Sequence, residues 1–114
     1  MLNQTVIVGR IVEQPKLKEQ NGKKYSNLTL AVPRSYKDDN GEYDTDFLEC
    51  TIWKGIAESV CEYCKKGDLV GVKGRLESKT IEKDGKKESE MNIVAEKITF
   101  LSSKSKDKEN DNEL

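Results

Sequence analysis

Phe47 and Trp53 lie six residues apart in the stretch Asp46-Phe47-Leu48-Glu49-Cys50-Thr51-Ile52-Trp53. Side chains alternate between faces along an extended chain, so Leu48, Cys50 and Ile52 share one face and Phe47, Glu49, Thr51 and Trp53 the other. The first set is apolar and reads as core. The second is polar except for two rings, one of them the chain's sole tryptophan. Rings on a wet face can stack on planar bases, and each base–aromatic stack is worth about 1–3 kcal/mol whatever the base. The structural alternative is a face covered by another subunit or a loop. Lys73, Arg75 and Lys79 share one face of a later alternating stretch, where they could neutralise phosphates or simply be solvated.

Other chemistries find less support. There is no histidine, which removes the commonest general acid–base group and the commonest metal ligand. Cys61 and Cys64 have the spacing of a redox pair or half a zinc site, but both fall on the apolar stripe of an expected helix, with no second pair. They read as buried small hydrophobes, as does Cys50. Asp38-Asp39 sits in a turn-forming stretch, where Asp is common for its local backbone hydrogen bonds. We expect no catalytic residue, no metal, no cofactor and no enzyme activity.

The elements that must position the rings follow from periodicity. At 114 residues the chain is expected to form one domain, residues 1–101, followed by a short disordered polar tail, 102–114. It carries 20 Lys+Arg against 21 Asp+Glu, and residues 1–101 hold 17 of each, so the body is neutral. That argues against a strongly basic duplex binder but allows nucleic acid if the cations share a face. No apolar run approaches a membrane span, and the first residues lack the pattern of a signal peptide, so a soluble cytoplasmic protein is expected.

Five strands are expected, over 4–12, 24–33, 46–53, 68–81 and 90–101. The first is apolar on both faces and should be covered on both, with Gly9 marking a bulge or bend. Leu28, Leu30 and Val32 should face inward on the second, and Val70, Val72 and Leu76 on the fourth. Asn21-Gly22 and Asp84-Gly85 mark hairpin turns. Arg34–Asp46 reads as a polar loop holding Tyr36 and Tyr43. Helical spacing of Ile56, Ala57, Val60, Cys61 and Cys64 predicts a helix over 55–66, ended by Lys65-Lys66-Gly67. Three strands, a helix and two strands match a five-stranded Greek-key oligonucleotide-binding (OB-fold) barrel, all-β with its helix between strands three and four. An SH3-like barrel, the main rival, has no comparable mid-chain helix.

The stretch from Asp46 to Leu76, DFLECTIWKGIAESVCEYCKKGDLVGVKGRL, resembles bacterial replication-type single-stranded DNA-binding proteins. Asn3 with Val6-Ile7-Val8-Gly9-Arg10 resembles that family's opening strand, Asn21-Gly22 its first hairpin, and Leu28-Thr29-Leu30-Ala31-Val32 its second strand. The likeness covers about residues 1–101. It implies a homotetramer that wraps single-stranded DNA without strong sequence preference, in replication, recombination and repair. By position, Phe47, Trp53 and Tyr36 match stacking residues, and Arg10, Arg34, Lys54, Lys73, Arg75 and Lys79 fall at or beside basic positions of the wrapping surface.

Three positions depart from the pattern. Ile81 and Ser89 stand where the family's hairpin often carries rings, which should weaken that hairpin's grip by roughly one stack, about 1–3 kcal/mol. The final residues Glu109 to Leu114 are mildly acidic and lack the closing Pro-Phe through which the family usually recruits replication and repair proteins, a departure that fits a mobile-element or phage-encoded copy with altered recruitment. An RNA-binding or primosome-type barrel, and a protein-interaction barrel whose aromatic face is a subunit contact, remain open at this point.

Overall fold

The computed structural model describes residues 1–102. Its elements are β1 (Thr5–Ile11), β2 (Lys18–Gln20), β3 (Lys23–Lys37), β4 (Tyr43–Trp53), α1 (Lys54–Tyr63), β5 (Leu69–Lys83) and β6 (Lys86–Ser102). β1 pairs antiparallel with β5, β5 with β6, and β3 with β4. A short parallel pairing of Cys50 and Thr51 with Ile93 and Val94 joins β4 to β6, and Arg10–Ile11 of β1 returns to Leu30–Ala31 of β3. Five strands thus close into a barrel, the all-β OB arrangement expected. The helix follows the fourth strand rather than the third. The count rises by one because Lys18–Gln20 folds back on Lys23–Tyr25 as a three-residue strand.

Both hairpin signals hold for a physical reason. Asn21, Gly22, Asp84 and Gly85 all take positive φ, the geometry that matches a tight turn to the twist of its strands. The barrel interior is filled by Ile7, Ile11, Leu28, Leu30, Cys50, Ile52, Val70 and Val72, and Ala57, Val60 and Cys64 of α1 pack onto it. Burying an aliphatic side chain of this size contributes about 1.5–3 kcal/mol. Gly9 marks no bulge in the β1–β5 register; a Cβ there would stand 2.8 Å from the Ala31 carbonyl oxygen, where β1 crosses close to β3. At Gly74 a Cβ would collide with the Val94 carbonyl, beside the register shift that bends β5 against β6.

Four local expectations are corrected. β1 is covered on one face only; Ile7, Gly9 and Ile11 point inward, while Val6 and Val8 are 69 % and 48 % exposed. The segment 34–46 is mostly strand, because β3 runs to Lys37 and β4 begins at Tyr43. Its turn is held by Asp38, whose Oδ1 accepts from the amides of Asn40 (2.8 Å) and Glu42 (2.9 Å). α1 stops at Tyr63, so Lys65 and Lys66 are not in its last turn. The amides beyond it find fixed partners elsewhere: Gly67 N–H donates to Ile11 O at 2.8 Å, and Lys65 N–H to the Asp68 carboxylate at 2.8 Å. Leu76, expected inward, is 39 % exposed, because β5 has left the barrel by that residue. The tail expected from Ser102 lies, beyond Ser102 itself, outside the described residues.

Candidate nucleic-acid interface

The outward side chains of β3 and β4 meet in rows set by their register. Tyr25 faces Trp53, Asn27 faces Thr51, Thr29 faces Glu49, and Ala31 faces Phe47. Inward neighbours Leu28, Leu30, Cys50 and Ile52 are fully buried, which leaves the alternate positions no freedom to turn elsewhere. Beyond Gly74 and Ala95 the β5–β6 hairpin projects as an arm of exposed residues and walls the other side. Between them lies a groove of about 680 Å³, with Phe47 and Trp53 on one side and Leu76, Lys79, Met91 and Ile93 on the other.

The groove's aromatic part is preformed. The rings of Tyr25 and Trp53 lie 5.1 Å apart, tilted 35° to one another, so each holds the other's orientation. Phe47 is 66 % exposed and offers an open face. The Thr51 hydroxyl donates to Asn92 Oδ1 at 3.1 Å, tying β4 to β6 across the floor. Rings that are already oriented lose little entropy when a planar base settles on them. The groove's charge is mixed: Lys79 is its one cation among the lining residues, with Glu49 and Glu90 as anions. Glu90 sits directly opposite Lys79 in the β5–β6 register.

Of the residues singled out from sequence, the groove brings together Phe47, Trp53 and Lys79. The other six lie off its lining. Arg34 is held by carboxylates: Nε and Nη2 donate to Asp46 at 3.1 and 2.9 Å, and Asp44 lies 3.7 Å away. The hydrogen bond to Arg34 lowers the Asp46 pKa, so this pair persists as an ion pair over the neutral range. Tyr36 is exposed near the tip of the same hairpin, and Lys37 stands 5.7 Å over the Tyr43 ring there. Arg10 donates to Gly67 O at 3.0 Å, helping to hold the turn after the helix. Lys54 opens α1 at φ 54°. Lys73 lies beside Val6 and opposite Lys97 on the outer barrel face, and Arg75 pairs with Glu77 at 2.6 Å.

Sequence reasoning missed Tyr25 and Met91. Tyr25 carried a signal, since it continues the outward set Asn27, Thr29, Ala31 by one step. Burial raises the Cys50 and Cys64 thiols to about 11, which keeps both protonated and inert near neutrality. Among the described residues no group of three His, Cys, Asp or Glu is placed to hold a metal ion, and no helix is long and apolar enough to cross a membrane.

A closed five-strand barrel with an aromatic groove across two strands and a hairpin arm defines an OB-type binding module. Residues 2–101 match the model of the single-strand binding protein family, and the chain belongs to that family. It is 42 % identical over 106 residues to single-stranded DNA-binding protein 3 of Listeria innocua, covering 91 % of this chain and 66 % of that one, so it spans about two thirds of that relative's length. It is 36 % identical over 110 residues to single-stranded DNA-binding protein B of Bacillus subtilis, covering 95 % and 97 %. Among solved structures, an SSB of Plasmodium falciparum in complex with single-stranded DNA superposes with a TM-score of 0.76 at 24 % identity, over 90 % of this chain and 96 % of that one. At that identity the likeness speaks for the fold.

Proposed function

We propose that this chain is a binding protein for single-stranded DNA, without catalytic activity, that coats exposed strands in replication, recombination and repair in a bacterial cytoplasm. The observation that carries this reading is the preformed Tyr25–Trp53 pair in one groove with exposed Phe47, which shares the outward face of β4. Bases stack on Trp53, Phe47 and Tyr25, while Lys79 meets the backbone at the groove edge. Lys54, Arg75, Arg10 and Tyr36 contact stretches of strand that continue past the groove, whereas Lys73 stands beside Val6 on the outer barrel face, away from that path. Arg34 contributes less, because a phosphate must displace Asp46 from it.

The assembly in this reading is a homotetramer. Val6 and Val8 with Leu101 form an exposed aliphatic patch on the outer face of β1, β5 and β6, the kind of surface a second copy buries. Several neutral modules on one strand reach an affinity that a single one lacks, because each binding event raises the effective concentration for the next.

The test compares labelled oligothymidine, oligouridine of equal length and a duplex of matched sequence by fluorescence anisotropy. Tight binding to oligothymidine, weaker binding to oligouridine and little to duplex is expected. Equal affinity for duplex would refute the stacking reading, and tighter binding to oligouridine would favour an RNA-binding role.

A further inference from the structure

Glu49 occupies an unusual place. It stands in the same outward row as both rings, two residues from Phe47 and four from Trp53, so its carboxylate lies roughly 7 Å along the strand from the Phe47 position. It lines the groove, its cross-strand neighbour is Thr29, and its carboxylate makes no hydrogen bond or ion pair with another described residue. Glu90, the other acid of the lining, has Lys79 directly opposite to offset it. Glu49 has no such cation beside it in the β3–β4 rows. A bare carboxylate between stacking rings repels phosphate, so the sugar–phosphate backbone must keep to the hairpin side and the base edges must point toward β4.

That orientation makes Glu49 a reader of base edges. An ionised carboxylate only accepts hydrogen bonds, through two oxygens placed side by side. In single strands the Watson–Crick edges are free to be read. The guanine edge offers two adjacent donors, N1–H and the N2 amine, which match the two oxygens. Thymine offers one N–H flanked by two carbonyl oxygens, which the carboxylate repels. We infer that Glu49 gives this chain a local preference for guanine on the nucleotide stacked at Phe47, superimposed on otherwise sequence-tolerant binding. The inference rests on the single-strand reading above and assigns a specificity role within the same groove.

Its test removes a single amine. Two thymidine oligomers of equal length carry interspersed single guanines in one and inosines in the other. Inosine keeps N1–H and lacks the N2 amine, and isolated guanines avoid self-association. Competition by fluorescence anisotropy, on the full chain, is expected to show about fivefold tighter binding of the guanine strand, in line with one added charge-assisted hydrogen bond in an exposed site. Glu49→Gln keeps the size but removes the second acceptor oxygen. It should bring the ratio to about one and strengthen binding to plain oligothymidine by lifting the repulsion. Glu49 is exposed, so the variant should fold, and its circular dichroism should match the parent. Equal binding of the two strands by the parent would overturn the inference. So would a preference that survives in Glu49→Gln. If neither strand binds, the single-strand reading itself fails, a result distinct from tight but indifferent binding.

Discussion

The groove across β3 and β4 and the outer face of β1, β5 and β6 both expose large apolar side chains, yet they are built differently. In the groove, Tyr25, Phe47 and Trp53 are flat and interleaved with Asn27, Glu49 and Thr51. On the outer face, Val6 and Val8 are branched and aliphatic, with Gly71 and Leu101 beside them. Flat rings among polar groups tolerate water when empty and gain a stack when filled. Branched aliphatics gain nothing from a planar ligand and are best buried for good by a matching protein surface. The first face suits a strand that comes and goes, the second a permanent neighbour.

Substitutions can separate the two faces. The largest effect should come from the core they share: Leu30→Ala is expected to lower stability by about 2–5 kcal/mol in urea unfolding and to weaken both faces together. Val8→Glu should reduce the mass seen by light scattering below that of four chains, while each chain still binds a short oligomer. A tetramer that survives this charge would place the assembly surface elsewhere. Trp53→Ala should do the opposite, leaving the mass unchanged and costing about 1–3 kcal/mol of binding, or roughly fivefold to hundredfold in affinity.

The smallest effect concerns the tip of the β3–β4 hairpin. The Asp46 carboxylate is held below its ordinary pKa by its hydrogen bond to Arg34, so its contribution to stability is present above the usual carboxylate range and lost as pH falls through the lowered value. Both groups are exposed, so the loss should be small. Arg34→Gln should abolish that part of the acid dependence in thermal melts and change affinity for oligothymidine by about twofold at most. A larger drop would mean that Arg34 leaves Asp46 to hold phosphate.

Much of this architecture is legible in the chain because local signals and burial agree. The alternation of Leu48, Cys50 and Ile52 against Phe47, Thr51 and Trp53 places the rings outward, and the Asp84-Gly85 turn sets Lys79 opposite Glu90 by simple counting from the tip. The Tyr25–Trp53 pair escapes the same method. Counting back from Lys37 opposite Tyr43 would set Tyr25 against Gly55, but an irregularity between Pro33 and Lys37 shifts the register by two and delivers Tyr25 to Trp53. Exposed polar residues on a projecting ribbon also look like loop, which hid the outer part of that hairpin. Periodicity carried the helix too far, since Cys64 continues the apolar stripe while the chain already turns to bond β1. Apolar composition alone could not tell that β1 buries one face within the chain and leaves Val6 and Val8 exposed.

Because Trp53 is the only tryptophan, its emission reports on the groove and nothing else. Titration of the intact protein with oligothymidine should quench that emission strongly. The binding constant should fall with salt along a log–log slope of about −0.7 per phosphate neutralised. Emission that stays unchanged while the oligomer binds would contradict the central claim, because it would place the strand somewhere other than on the Trp53 ring.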